Sequence, residues 1–304
     1  MADKKIADLF SIRSRFLRSV NLERDFEDPS AFSGYVPTEF TKSCFGRIAQ
    51  GLNKRSGQRA WRMTGDYGSG KSSFALLLAQ SFAGCGPALP PQLRSCVDFS
   101  RHGLMAPKFM PILVTCARQS LNRSILEALH RVVSKAYSHG GNSKLAENFS
   151  RLLRAKNGPS DQQVIDAILS TNSRIILDGK GKGLLLILDE LGKFLEFAAL
   201  NTQQQDVFLL QRLAEEASRS GDEPLFVVCV LHQGFNAYAE QLNQAAQREW
   251  EKVAGRFEEI IFNQPVEQIA SLILRAAATP RSARSANFCA MCWECRFPVA
   301  NWLK

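Results

Sequence analysis

The sequence predicts a three-layer α/β domain with a mainly parallel sheet and helices on both faces. Two apolar runs, 183–189 (GLLLILD) and 225–231 (LFVVCVL), are uninterrupted, as in strands that are covered on both sides. Helix-like segments separate these runs from each other and from three further strand-like segments. Because parallel strands need long crossover connections, this alternation indicates helices that return the chain across the sheet.

In the first half of the chain, each predicted element has its own signal. The first helix is rich in Ala and Leu and is followed by a Gly/Pro cluster at 84–91. The next places Ile125, Leu129 and Val133 on one face, and Ser160 or Asp161 could cap the last. The predicted elements are, in order, a strand over 59–64, a helix over 71–82, a strand over 109–116 and helices over 120–137, 145–153 and 164–177.

The second half continues the alternation. Val207, Leu210 and Leu213 form one helical stripe between the two apolar runs, and Pro265 is placed to start the last helix. The predicted elements are, in order, a strand over 183–189, a helix over 202–219, a strand over 225–231, a long polar helix over 235–253, a strand over 257–262 and a helix over 266–278.

The basic surplus of the chain lies at its two ends. The 304 residues hold 38 Lys and Arg against 29 Asp and Glu, a formal charge of +9. Residues 1–60 and 275–304 each carry a net +4, whereas 61–274 carry only +1. A uniformly basic nucleic-acid coat is therefore not expected, and any DNA contact would come from the ends or from folding.

Composition favours a cytoplasmic protein without membrane contact. No apolar run approaches the ~20 residues that cross a bilayer. The start, MADKKIADLF, lacks the apolar region of a signal peptide. Eight cysteines in a chain of this length do not form a small secreted disulfide framework.

The most specific signal is a glycine-rich phosphate loop, GDYGSGKS, which matches G-x-x-x-x-G-K-[ST]. Its glycines let several backbone N–H groups point at one phosphate, and the following helix adds its positive dipole end. Lys71 is expected to reach the β- and γ-phosphates, and Ser72 to bind Mg²⁺. The predicted nucleotide-binding residues are Gly65, Asp66, Tyr67, Gly68, Ser69, Gly70, Lys71, Ser72 and Ser73, with ATP and Mg²⁺ as cofactors.

A second signal is the acidic pair that ends the run LLLILDE. A buried strand would deliver Asp189 to the same edge of the sheet as the phosphate loop, where it would hold Mg²⁺ through water. Glu190 would orient and deprotonate the attacking water. In the alternative, Asp189 only ends a strand and Glu190 caps a helix.

The order of these motifs resembles the additional-strand class of P-loop ATPases, in particular AAA+, origin-recognition-like and STAND proteins. The stretches GDYGSGKSSFALLLA, LLLILDELGKFLEF and REWEKVAGRFEEI also resemble large bacterial ATP-binding proteins, some from phage-defence gene clusters. The resemblance implies a polar sensor after the next strand, where His232 and Gln233 stand. It also implies an arginine finger that reaches the γ-phosphate of a neighbouring subunit, for which Arg256 is the candidate and Arg248 a weaker one.

For each of these assignments, a purely structural role remains an alternative. His232 could be a loop or cap histidine, and Arg256 could pair with Glu251, Glu258 or Glu259. The resemblance further suggests Thr115 as a polar switch residue at the end of its strand. It also suggests that 28–38 lies over the adenine, with Tyr35 or Val36 touching the base, whereas the simpler alternative is a solvent loop.

The resemblance also implies how the chain divides. Residues 1–58 are expected to be an extension or linker, 59–264 the ATPase core, 265–278 a first lid helix and 279–304 a Cys-rich tail. AAA+ modules continue into a lid of several helices, so truncation, for instance by a frameshift near Thr279, is expected. In the tail, Cys289, Cys292 and Cys295 could begin a zinc or iron–sulfur site, but no fourth ligand lies nearby.

Three functions are consistent with these features. The first is Mg²⁺-dependent ATP hydrolysis that drives conformational change in a larger assembly, through self-association or a partner that shares the arginine finger. The second is a nucleotide-dependent switch or scaffold with little turnover. The third is a DNA-acting or defence module. A small-molecule kinase also uses a phosphate loop, but the adjacent Asp-Glu pair favours hydrolysis.

Overall fold

In this computed structural model, the residues described are 19–28, 30–32, 35–138, 143–201 and 207–263. Residues 20–263 form one compact unit. Its strands are β1 Ala60–Thr64, β2 Met110–Thr115, β3 Leu184–Asp189, β4 Leu225–Val230 and β5 Glu258–Ile261. The helices before β3 are α1 Leu22–Asp25, α2 Glu39–Ala49, α3 Lys71–Phe82, α4 Pro91–Arg94, α5 Leu121–Ala136, α6 Ser143–Arg154 and α7 Asp161–Leu177. The later helices are α8 Leu191–Leu200, α9 Phe208–Arg219, α10 Phe235–Ala239 and α11 Gln244–Ala254.

The five strands form a single parallel sheet in the order β2-β3-β4-β1-β5. In β2, β3 and β4, alternate residues enter two separate apolar cores. Leu186 and Leu188 of β3 pack in one core with helices α5, α7 and α9, while Leu185 and Ile187 pack in the other with α2 and α3. This is the predicted three-layer arrangement, and it explains why β3 and β4 are apolar at every position except Asp189.

The predicted strands and most predicted helices are confirmed to within a few residues. Four helices were not predicted: α1, α2, α4 and α8. Helix α2 begins with a capping box in which the Thr41 N–H donates to the Thr38 hydroxyl at 3.2 Å and the Thr38 N–H to the Thr41 hydroxyl at 2.9 Å. It buries Phe45 and Ile48 in the second core, although it lies in the segment predicted as an extension. Helix α8 follows β3 directly.

The prediction of one long polar helix over 235–253 is wrong, because two helices occupy this region. Helix α10 ends at Ala239, and Asn243 caps the start of α11 by accepting a hydrogen bond from the Ala246 N–H at 2.9 Å. The helix predicted to start at 202 is described from Phe208, and 202–206 are outside the described residues. The predicted lid helix, 266–278, and the tail after it also lie outside them.

A buried arginine connects two segments at the amino edge of the sheet, which is the edge where the parallel strands begin. Arg59 is only 2% exposed and directly precedes β1. Its Nε donates to the Gly51 carbonyl at 2.9 Å, and one terminal nitrogen donates to the Ser220 hydroxyl at 2.8 Å and to the Gly221 carbonyl at 2.9 Å. The guanidinium thereby joins the end of the α2 segment to the turn before β4.

Replacing Arg59 with methionine is expected to lower the free energy of unfolding by roughly 2–4 kcal/mol, since buried acceptors would lose their donor. Urea denaturation of both proteins measures the difference. Arg55→Met is the control, because Arg55 is exposed and should change stability by less than about 0.5 kcal/mol. Equal midpoints for Arg59→Met and wild type would contradict this role.

Among the described residues, no helix has both the length and the apolar character that a bilayer crossing requires.

Candidate functional site

The phosphate loop joins β1 to α3, at the carboxyl edge where the parallel strands end. Gly70 precedes the helix with φ 94°, a left-handed conformation that favours glycine. At Gly65, an added Cβ would lie 2.6 Å from the Phe262 carbonyl oxygen at the end of β5. The loop therefore requires glycine at its first position because a neighbouring strand closes on it.

Lys71 is buried, with 4% exposure, and points into its own loop. Its Nζ donates to the carbonyls of Gly65 at 2.6 Å and Asp66 at 2.7 Å, and to the Ser69 hydroxyl at 3.2 Å. Burial lowers the pKa of Lys71, while the charges of Asp189 and Asp66 raise it. The lysine thus holds the loop in a curled form and places an ammonium group where a phosphate would be bound.

Asp189 ends β3 beside the start of α3, as expected from the sequence. Its Oδ1 accepts a hydrogen bond from the Ser72 hydroxyl at 3.2 Å and another from the Glu190 N–H at 2.9 Å. Asp189 is only 3% exposed. Its burial raises the pKa of the carboxyl group, although these two hydrogen-bond donors lower it. A hydroxyl and a carboxylate at this separation are the oxygen donors that Mg²⁺ accepts alongside phosphate and water, so the residues fit the ion.

Glu190 has an unusual backbone. Its φ of 53° makes it the one non-glycine residue with positive φ in the described ranges. The conformation lets β3 turn directly into α8, and such strain is concentrated at functional sites. Its carboxylate pairs with Lys193 one turn along the helix. The sequence does not predict this strained turn, because glutamate seldom adopts a positive φ.

His232 follows β4 and stacks on Tyr67 of the phosphate loop. The ring centroids are 3.6 Å apart and the planes differ by 23°. Burial lowers the pKa of His232, as does the charge of Lys71, whereas Glu190 raises it. Its Nδ1 is buried without a partner among the described residues. Gln233 is exposed beside it, and Tyr67 is 81% exposed.

Thr115 ends β2 level with Asp189 on the neighbouring strand. Its hydroxyl is buried and has no partner in the described part of the chain. Its N–H donates to Glu23 Oε1 at 2.9 Å, so α1 contacts this edge, which the sequence did not indicate. Tyr35 packs edge-on against Phe32, with centroids 6.2 Å apart. Part of the expected adenine linker therefore lies against the second core.

Arg256 lies away from these residues. It precedes β5 by two positions, at the amino edge, whereas the phosphate loop is at the carboxyl edge. It pairs with Glu215 at 3.4 Å, which is none of the partners considered from the sequence, and its side chain is 52% exposed. Arg248 is exposed on α11. Arg256 therefore does not join the cluster at this chain's own carboxyl edge.

The structure thus brings together Lys71, Ser72, Asp189, Glu190 and His232, which three separate stretches of sequence supply. Within the described residues there is no group of three or more His, Cys, Asp and Glu side chains that could hold a metal by themselves. The cysteines at 289, 292 and 295 lie outside those residues.

Comparison with solved structures finds distant similarity in fold. The ADPNP–ADP complexes of the Aeropyrum pernix ORC2 protein match with 16% identity and a TM-score of 0.48, over 88% of this chain and 56% of that chain. The ADP form of that protein matches with 17% identity and a TM-score of 0.43, over 84% and 56%. The chain spans little more than half of the ORC2 protein's length. No protein-family model matches the sequence, and no curated protein matches it.

Proposed function

We propose that this chain binds Mg²⁺-ATP and hydrolyses it to drive conformational change in a larger assembly. The single observation that supports this most is the contact of the Ser72 hydroxyl with Asp189 at 3.2 Å, beside a curled phosphate loop around Lys71. Backbone N–H groups and the α3 dipole would bind the phosphates. Bound Mg²⁺ would neutralise charge on the β- and γ-phosphates.

Each residue at the carboxyl edge would have a separate role in hydrolysis. Lys71 would leave its loop acceptors for the phosphates, and Ser72 and Asp189 would hold the ion. Glu190, two strands from β1 and next to Asp189, would orient the attacking water and accept its proton. For this it must give up its pairing with Lys193. His232 and Gln233 would face the terminal phosphate, with Tyr67 supporting the histidine ring.

The position of Arg256 favours a shared site. Because Arg256 lies at the amino edge, it would act only on nucleotide bound by another subunit. An arginine finger accelerates phosphoryl transfer by roughly 10³–10⁵-fold, so an isolated chain would turn over slowly. The same observation favours the second candidate function, a nucleotide-dependent switch or scaffold with little turnover. A role on DNA stays a prediction from the basic ends of the chain.

One assay separates these functions: ATP turnover per subunit over a wide range of protein concentration, with and without DNA. We expect the rate per subunit to rise with concentration and the rise to disappear in Arg256→Ala. Arg174→Ala removes an exposed arginine that pairs with Asp178 near the end of α7, also towards the amino edge, and should keep the rise. ATP binding without turnover at any concentration would favour the switch. Full turnover at the lowest concentration would contradict the shared finger.

A further inference from the structure

Glu23, in a segment that the sequence assigns to an extension, contacts the carboxyl edge of the sheet. It lies on α1, and its Oε1 accepts a hydrogen bond from the Thr115 N–H at 2.9 Å. Its other oxygen, Oε2, accepts a hydrogen bond from the Arg131 guanidinium of α5. One carboxylate oxygen is thus bound by β2 and the other by α5, which fixes the orientation of the carboxylate.

The contact with Glu23 satisfies a backbone donor that points away from the sheet. In the sheet that the described residues form, β2 is an edge strand and β3 is its neighbour. The Cys116 N–H donates to the Asp189 carbonyl at 2.8 Å, and successive residues of a strand present their N–H groups in opposite directions. The Thr115 N–H therefore points outward, where Glu23 accepts it. The end of β2 is held by β3 on one side and by a carboxylate on the other.

The side chains of Thr115 and Asp189 lie on the same face of the sheet. The two residues are register partners in neighbouring parallel strands, which lie about 4.8 Å apart. Leu113 and Ile187, two residues before them, both pack in the core that contains α3, and side chains alternate between faces along a strand. The hydroxyl of Ser72 on α3 donates to Asp189 at 3.2 Å. The Thr115 side chain is therefore on the face where Ser72 meets Asp189.

The Thr115 hydroxyl is a buried polar group for which the described part of the chain supplies no hydrogen-bond partner. Buried polar groups in folded proteins are nearly always hydrogen-bonded, either to protein or to an ordered water. A single water between this hydroxyl and the Asp189 carboxylate would satisfy it, since the two residues are direct neighbours across the strands. Mg²⁺ keeps several waters of this kind when a carboxylate binds it.

We propose that Glu23 is a positioning residue for the Mg²⁺ site. Its carboxylate fixes the end of β2 so that the Thr115 hydroxyl holds a water of the ion beside Asp189. This inference rests on the proposed binding of Mg²⁺-ATP. It assigns Glu23 no contact with the ion or the nucleotide, since the residue acts through Thr115.

The test compares the Kd of a non-hydrolysable ATP analogue in excess Mg²⁺ with its Kd in EDTA, both by isothermal titration calorimetry. The ratio of the two values is the gain in affinity from the ion, and its measurement requires no turnover. We expect Glu23→Ala to reduce this gain roughly 5- to 10-fold, the range of one hydrogen bond, and to leave the Kd in EDTA unchanged. A general loss of structure would instead raise both Kd values.

Glu27→Ala is the matched control. Glu27 stands four residues after Glu23 and pairs with Lys135, which stands four residues after Arg131 on α5. The variant therefore removes an equivalent ion pair between the same two segments, while the hydrogen bond to β2 stays in place. We expect it to keep the wild-type gain from Mg²⁺.

Thr115→Val tests the link between Glu23 and the ion. Valine keeps the shape of threonine and the backbone N–H and removes only the hydroxyl. We expect the same loss of gain as in Glu23→Ala. The double variant should lose no more than either single variant, since both changes act on one water. Thermal melting of each variant checks that it is folded.

Five results would overturn the inference: the wild-type gain in Glu23→Ala, the wild-type gain in Thr115→Val, an equal loss in Glu27→Ala, a rise of the Kd in EDTA as large as the rise in Mg²⁺, or additive losses in the double variant. If Glu23→Ala does not fold, Thr115→Val decides alone. A wild-type protein that binds no nucleotide, or gains no affinity from Mg²⁺, would instead refute the proposed function. A clear gain in wild type together with any of the five would remove only the role of Glu23.

Discussion

Replacing Lys71 with alanine is expected to raise the Kd for Mg²⁺-ATP by roughly 100-fold or more. Charge-assisted hydrogen bonds are worth about 1.5–3 kcal/mol each, and an ammonium group in this loop would make more than one of them to the β- and γ-phosphates. Burial increases the expected loss of affinity, because the Lys71 side chain is only 4% exposed and lies where water screens charge poorly. Isothermal titration calorimetry measures the change.

Two further variants make the Lys71 result interpretable. Lys71→Met keeps most of the apolar stem, so a loss of binding in this variant reports the charge and not a cavity. Lys54→Ala removes an exposed lysine whose ion pair with Asp222 lies near the amino edge of the sheet, and it should bind ATP as wild type does. An unchanged Kd in both Lys71 variants would reject the phosphate-loop assignment.

Replacing Glu190 with glutamine is expected to lower ATP turnover roughly 100- to 10,000-fold, the range that general-base catalysis contributes. Glutamine is close in shape to glutamate and cannot accept the proton of the attacking water. Nucleotide affinity should change little, because Ser72 and Asp189 would still hold the ion. Single-turnover hydrolysis with protein in excess over ATP separates the chemical step from binding and release.

Glu196→Gln is the matched control for Glu190. Glu196 lies on α8 as well, pairs with Arg118 at 2.7 Å and is 44% exposed. It lacks the strained backbone of Glu190 and does not adjoin Asp189. We expect wild-type turnover from Glu196→Gln. If Glu190→Gln also kept full turnover, another group would be the base, and the role of Glu190 would reduce to its place in the turn between β3 and α8, where its side chain makes no capping hydrogen bond.

Local signals explain why much of the fold was predictable. The strands β3 and β4 are buried on both faces, so nearly every position is apolar and the pattern is unmistakable. Helix α3 was predicted with its observed bounds, because a glycine-rich loop and a Gly/Pro cluster enclose it. The break between α10 and α11 was missed because the capping asparagine, Asn243, stands in a polar stretch that also suits a helix surface.

The site was predictable only where its parts are short motifs. The proximity of Ser72 to Asp189 was foreseen because both lie where parallel strands end. The stack of Tyr67 on His232 and the hydrogen bond of Thr115 to Glu23 join segments that are far apart in sequence, and each depends on tertiary packing. Likewise, Arg256 pairs with Glu215 on α9, and residue spacing gives no information about such a contact.

The three hydrogen bonds that Lys71 makes within its own loop have a consequence for the energetics of affinity. The ammonium group is already solvated by protein oxygens before any nucleotide arrives, so a phosphate competes with these internal acceptors. The binding free energy therefore reflects the exchange of these internal hydrogen bonds for bonds to phosphate, and it is smaller than the full attraction between lysine and phosphate. Removing the lysine also alters the unliganded protein, because the carbonyls of Gly65 and Asp66 lose their hydrogen-bond donor.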